Sequence, residues 1–288
     1  MVDREMIKTC SLEGFNYMRR LGRCKEVQMF THFVRLYRAL DFIVKGIRLF
    51  KDKDKIVLAD IGAGYCELPR LCHSKGLMKL QYHCLEFDRK KLKDVANMKF
   101  GKFDIRLKQV DLSKGKIPIE DGAVDIVICQ EFAEHIPRDS WINLLKDMNR
   151  VCHKGSVAFF LTPNVKNGGV INAYHIHEYT ADTFTRTLVA AGFKPDKSYG
   201  FVPKDNISVI DKEEHNNPVY KSMREVIYVP ILKPMLSHLP LEDCKEQIHH
   251  CTKVCNYSRE IMEAIDFSEN DRLMEERHEE RCRRSRTK

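Results

Sequence analysis

Long apolar runs are missing from this 288-residue chain. No stretch approaches the roughly 20 residues needed to cross a bilayer, so no membrane span is expected. The opening Met-Val-Asp-Arg-Glu-Met is too charged for a secretory leader. A paired cysteine framework is missing too. The 11 cysteines are odd in number and scattered, and Cys84 and Cys129 fall inside apolar stretches as small buried hydrophobes. That usage points to a reducing, cytoplasmic setting. No internal repeat or long low-complexity run occurs, which argues against a solenoid. Neither sign of charge dominates: 49 basic against 41 acidic residues leave a formal +8. That excess permits a polyanionic partner without demanding one. A chain of this length buries roughly three quarters of its unfolded surface and needs no disulfide or metal to fold.

What is present is an alternation of short apolar runs and amphipathic stretches. Residues 1–54 read as a helical N-terminal extension. Phe30, Phe33, Val34, Tyr37, Leu40, Ile43, Val44 and Ile47 recur at helical spacing. The pattern predicts strands near 56–61, 80–87, 104–110, 124–129, 157–161 and 193–201. Helices are predicted near 67–75, 88–98, 138–152 and from Thr180 to Gly192. Repeated βα units with short connections predict an α/β fold, a mainly parallel sheet with helices on both faces. Glu225 to Val229 is a candidate late strand. Residues 55–230 would form this domain, and 231–288 a helical, solvated C-terminal extension ending in the basic Arg281-Cys282-Arg283-Arg284-Ser285-Arg286.

One stretch organises the rest: Ile56-Val57-Leu58-Ala59-Asp60-Ile61-Gly62-Ala63-Gly64-Tyr65-Cys66-Glu67-Leu68-Pro69-Arg70. A buried strand runs into two glycines that allow a tight turn and close approach of backbone to ligand, and a helix follows. Asp60, two residues before the first glycine, favours a cationic ligand over a pyrophosphate. The stretch resembles the Asp-x-Gly-x-Gly signature of class I S-adenosylmethionine-dependent methyltransferases, and the likeness extends over about residues 55–200. Glu86 ends the second strand in Cys84-Leu85-Glu86-Phe87-Asp88, and Asp111 ends the third in Gln109-Val110-Asp111-Leu112. Gln130-Glu131-Phe132-Ala133-Glu134-His135 follows the fourth, Leu161-Thr162-Pro163-Asn164 ends the fifth, and His175-Ile176-His177-Glu178-Tyr179-Thr180 precedes a helix. One departure is Cys66, where the fuller signature carries a third glycine.

The resemblance implies a Rossmann-like seven-stranded sheet and S-adenosyl-L-methionine as cofactor. Asp60, Gly62, Ala63 and Gly64 would cradle its amino-acid end. Glu86 with Phe87 would meet the ribose, Asp111 with Leu112 the adenine, and Gln130 the methyl end. A hydroxyl or protonated amine acceptor needs a base. His135, His175, His177, Glu131 and Glu134 are the candidates, and the sequence does not choose among them.

Three motif absences bear on substrate. After the fourth strand there is no Asp/Asn-Pro-Pro-aromatic, the chain holds no Pro-Cys pair, and Gln130 stands where ribose 2′-O-methylases of the tetrad type carry an Asp. The expected acceptor is a small metabolite, lipid or sugar. Methylation of nucleic acid or protein, or a non-catalytic scaffold on the same fold, is the alternative. No metal is expected. Cys244, His249, His250, Cys251 and Cys255 match no zinc module, and on a helix Cys244, Ile248, Cys251 and Cys255 would share one apolar face.

Overall fold

The computed structural model describes residues 26–96, 100–114, 116–167, 174–203, 241 and 244–286. Residues 1–25 and the expected strand at 225–229 lie outside them. The elements are α1 (Glu26–Leu49), β1 (Ile56–Ile61), α2 (Glu67–Ser74), β2 (Leu80–Glu86), α3 (Arg89–Ala96), β3 (Asp104–Gln109), β4 (Val124–Gln130), α4 (Arg138–Val151) and β5 (Cys152–Pro163). They continue with α5 (Ala181–Ala190), β6 (Phe193–Pro203), β7 (Cys244–Lys253), α6 (Arg259–Glu263) and α7 (Ser268–Arg286).

The strands form one seven-stranded sheet in the order β3-β2-β1-β4-β5-β7-β6. β1 to β5 pair in parallel, and β7 runs antiparallel to both β5 and β6. Alternate residues of β1 point to opposite faces, which divides the core. Leu58 joins Leu36, Leu40 and Ile43 of α1, Leu71 of α2, Tyr82 and Phe159 on one side. Ala59 and Ile61 join Trp141 and Leu145 of α4 and Phe184 of α5 on the other. Helix α1 packs flat because Gly46 has no side chain: a Cβ there would lie 2.8 Å from Cδ1 of Ile126. Thr180 caps α5 as its sequence position suggested, its side chain accepting from the amide of Thr183. Among the described residues no helix is long and apolar enough to cross a membrane.

The C-terminal reading needs correcting. Cys244–Lys253 is a strand, not a helix, and lies inside the sheet, so the sheet is not complete by residue 230. Ile248 and Cys251 enter opposite core layers rather than one face, and Cys255 is exposed. The segment reads as helical because its polar residues suit one. In place, each is satisfied by tertiary contacts. Gln247 Nε2 donates to the carbonyls of Pro163 and Tyr179 (both 3.1 Å), and Lys253 Nζ donates to those of Asn149 and Cys152 (both 2.7 Å). The following region does turn helical as α6 and α7, and α7 carries the basic tail as helix to Arg286. The fifth strand also begins earlier than the predicted 157–161. β5 already starts at Cys152, and a register shift against Val124/Ile126 takes up Gly155, whose φ is +93°.

Candidate functional site

Strand order reverses between β1 and β4, and in open α/β sheets ligands sit beyond the strands' carboxyl ends at such a point. On one side lies the glycine turn. Gly62 and Gly64 have φ of +70° and +56°. The amides of Gly62 and Ala63 donate to the carbonyl of Leu85 at 2.9 and 3.0 Å, tying the turn to the end of β2. Glu86 completes it: one carboxylate oxygen accepts from the amide of Gly64 (2.8 Å), the other from that of Asp88 (2.9 Å). Cys66, where the fuller signature has glycine, is fully buried and left-handed at φ +52°. A non-glycine pays about 1–2 kcal/mol for that backbone. The position therefore favours glycine for its conformation as well as for helix packing, a reason the sequence did not show.

Asp60 is buried, and Tyr82 Oη donates to its Oδ2 at 2.7 Å. Burial pushes its pKa up to about 7, the Tyr82 hydrogen bond pulling the other way. Tyr82 is a partner that sequence reasoning missed, since it lies in the neighbouring strand. Asp111 is half-buried just past β3, and its Oδ1 accepts from the amide (3.1 Å) and hydroxyl (2.5 Å) of Ser113. The amide of Val110 donates to the carbonyl of Glu86, so Asp111 lies one residue beyond that pairing. Phe87 is exposed. Leu112 is buried in the same core layer as Leu85 and Ala133.

Across the reversal stands the turn after β4. Phe132 joins the two halves: a Cβ on Gly62 would fall 2.3 Å from Cδ2 of its ring. The turn is sharp because Glu131 adopts φ +48°. Glu131 lies 3.0 Å from the guanidinium of Arg35 in α1, which also binds the carboxylate of Glu246 in β7, its Nε donating at 2.9 Å. Burial raises the Glu131 pKa well above the ordinary carboxylate range, with Arg35 opposing it. Glu134 is completely buried and accepts from Thr162 Oγ1 at 3.0 Å. Burial carries its pKa to about 7. Gln130, Glu131 and Glu134 each hold a buried Oε1 with no hydrogen-bond partner among the described residues.

Residues 174–178 close over this turn. The amides of Ile176 and His177 donate to the carbonyl of Glu134 at 2.7 and 3.3 Å. Nδ1 of His135 is 3.0 Å from the carbonyl of Tyr174, and the rings of His135 and His175 meet edge to face with centroids 5.0 Å apart. Nδ1 of His175 is 2.5 Å from Glu178, which is ion-paired to Arg277 of α7. The structure thus brings Glu134, His135 and His175 together, while Glu131 pairs with Arg35. His177 turns away: its ring packs edge to face on buried Tyr179 at 4.7 Å. Burial lowers its pKa to about 4, making it a weak proton acceptor. Arg35, Glu246 and Arg277 belong to the site's framework without any signal in the local sequence, and Thr162 lies in a quoted motif that gave no hint of its bond to Glu134.

Residues 59–160 match the family described as "Methyltransferase domain". No curated protein matches the chain. Solved structures do. A Galdieria sulphuraria protein, provisionally assigned as a sarcosine dimethylglycine methyltransferase, is 16% identical with a TM-score of 0.51, covering 76% of this chain and 86% of its own. The 4+2 cyclase SpnF is 14% identical with a TM-score of 0.51, covering 76% and 82%. An S-adenosylmethionine-dependent methyltransferase from Archaeoglobus fulgidus is 16% identical with a TM-score of 0.48, covering 74% and 94%.

Proposed function

We propose that this chain, which carries a class I S-adenosylmethionine-dependent methyltransferase domain, moves the cofactor's methyl group to an oxygen or nitrogen of a small molecule. One observation carries the reading. Two acid-bearing turns face each other across the strand reversal, joined by Phe132 on Gly62. The glycine side suits the cofactor. Glu86 already accepts two hydrogen bonds and would accept the ribose hydroxyls. Asp60 would balance the ammonium, and Asp111 would receive the adenine amino group. A sulfonium methyl is a strong electrophile, so the other side has to bind the acceptor, align it and exclude water. The buried acceptors of Gln130, Glu131 and Glu134 favour an acceptor molecule that brings hydrogen-bond donors. Enclosure by α1 and residues 174–178 favours a small one. With His177 packed on Tyr179 and Glu131 bound to Arg35, the groups left to meet the nucleophile are Glu134, His135 and His175. The cyclase among the structural matches is a reminder that this scaffold does not fix the reaction.

Calorimetry with S-adenosylhomocysteine tests the cofactor half. Binding is expected for the full chain, with Glu86→Ala and Asp60→Ala each weakening it by at least about 10-fold, the weight of a charge-assisted contact. Unchanged affinity in both variants would overturn the assignment. For the acceptor half, extracts incubated with enzyme and deuterated-methyl cofactor should yield a labelled small molecule by mass spectrometry.

Asp60 makes a separate prediction. Its pKa is raised to about 7 by burial, so near pH 6 it is mostly protonated, and an arriving ammonium favours the carboxylate. Cofactor binding near pH 6 should therefore release a fraction of a proton, and near pH 9 none. Binding enthalpies measured in buffers of different ionisation enthalpy read this directly. A proton count that does not vary with pH, or that Asp60→Asn leaves in place, would count against Asp60 as the ammonium's partner.

A further inference from the structure

We propose that Glu134, His135 and His175 form a binding site for a divalent first-row transition-metal ion. One ligand atom from each lies within 4.8 Å of the others. This is a new element, since the sequence pattern suggested no metal. The spacing explains why: Glu134 and His135 are adjacent in the chain, while His175 arrives on a connection two elements later.

Three observations support a built site rather than a chance gathering. First, Oε1 of Glu134 belongs to a completely buried side chain and has no hydrogen-bond partner among the described residues, while Thr162 holds the other oxygen at 3.0 Å. A buried carboxylate oxygen left that way is costly unless a cation meets it. His135 Nε2 stands 3.9 Å from that same oxygen, a separation that one ion at ordinary ligand distances of about 2.1 Å would bridge. Second, both imidazoles are oriented from behind. The Tyr174 carbonyl holds Nδ1 of His135, and the Glu178 carboxylate holds Nδ1 of His175. Ligating histidines characteristically carry such carbonyl or carboxylate partners, which fix the ring and raise its basicity. Third, Arg277 pairs with Glu178, so the supporting carboxylate is itself held.

Two nitrogens and one carboxylate oxygen suit manganese, iron, cobalt or zinc better than magnesium or calcium, which prefer oxygen alone. Three protein ligands leave coordination positions for solvent or substrate, the pattern of a reactive rather than a structural centre. Taken with the methyl-transfer reading, on which this step rests, the ion would bind the acceptor's hydroxyl and lower its pKa. The hydroxyl proton would leave to water. The oxygen would form its bond to the methyl carbon as the carbon–sulfur bond breaks, the electron pair departing on neutral S-adenosylhomocysteine. Glu134, His135 and His175 would then serve as ligands, not bases, and the acceptor would be an alcohol or phenol.

The test uses the full chain and Mn2+ alone, followed by the loss of its free-ion paramagnetic resonance signal. One ion per chain is expected, with Glu134→Gln and His175→Ala each weakening binding by at least about 10-fold. No binding at millimolar Mn2+, or equal binding in all three proteins, would overturn the site. A measurement on the unaltered chain covers the case in which a variant misfolds. Zn2+ should protect His135 and His175, but not His153, from diethyl pyrocarbonate, read by peptide mass spectrometry; absence of selective protection would also overturn it. S-adenosylhomocysteine affinity, which reads Glu86 and the glycine turn, separates the two readings. Metal binding lost with cofactor affinity intact sinks the ion alone, whereas cofactor binding absent with Mn2+ bound sinks methyl transfer and leaves the ion.

Discussion

Replacing Arg35 with methionine should lower the free energy of unfolding by about 1–3 kcal/mol at neutral pH, the usual cost of leaving a buried polar group, here Glu246, without its partner. The reason lies in what remains. Arg35 is the cation between Glu131 and Glu246, two carboxylates from distant parts of the chain. Without it Glu246 stays buried, Glu131 stays half-buried, and both lose the group that offsets them. The sign with pH follows. Burial already holds Glu131 above the ordinary carboxylate range, and Arg35 is the main influence drawing it back. In the variant the native carboxyl is raised further, so the native form binds protons that the unfolded chain releases. Stability is then best preserved at low pH and falls as pH rises through the gap between the two pKa values. Denaturant titrations of both proteins near pH 5 and pH 8 should show a deficit that is larger at pH 8. A deficit below about 1 kcal/mol at both would mean that the ion pair is only a surface contact. The same variant should loosen the site, because Arg35 is the link from α1 to the turn after β4.

Gly62→Ala is the second large effect. Two costs add at this position. A side chain at φ +70° costs about 1–2 kcal/mol, and the new Cβ would sit 2.3 Å from the Phe132 ring. Moving that ring costs about 1–3 kcal/mol more. Both turns are displaced together, so the affinity for S-adenosylhomocysteine should drop by more than about 10-fold. Phe132→Ala separates the parts. It removes the clash but not the strain, so the double variant should be more stable than the sum of the single effects by at least about 1 kcal/mol. Simple additivity would show that Phe132 does not rest on the glycine turn in solution.

How much of this was legible in the chain depends on the distance over which each residue is satisfied. Ile56 to Gly64 reveals itself, because strand burial and glycine geometry are both local. The acids ending β2 and β3 follow from the same alternation. β7 is illegible for the opposite reason. Glu246, Gln247, His249 and Lys253 are tolerated in a buried strand only because Arg35, the Pro163 carbonyl, Ser198 and the Asn149 carbonyl are waiting for them. Propensity alone gives the wrong period there. Arg35 gives no local sign of its role, since Glu246 is 211 residues away in sequence. The turn after β4 is half legible. Its acids and histidine invite a catalytic reading, but nothing in the order Glu-Phe-Ala-Glu-His says which side chains converge. Nor does the sequence near 175–177 tell that His175 joins them and His177 does not.

The placement of β7 bears on how the chain must be made. Strands β1 to β5 can pair as they leave the ribosome, each neighbour being near in sequence or already present. β6 cannot, because its seat beside β5 is taken by a strand that emerges roughly 40 residues later. At common translation speeds of about 5–20 residues per second, the nascent protein waits several seconds with the inner edges of β5 and β6 bare. Bare edges recruit other chains. The interval before β7 arrives is therefore when a polysome crowded with this protein is most exposed to mispairing, and when a chaperone has most to shield.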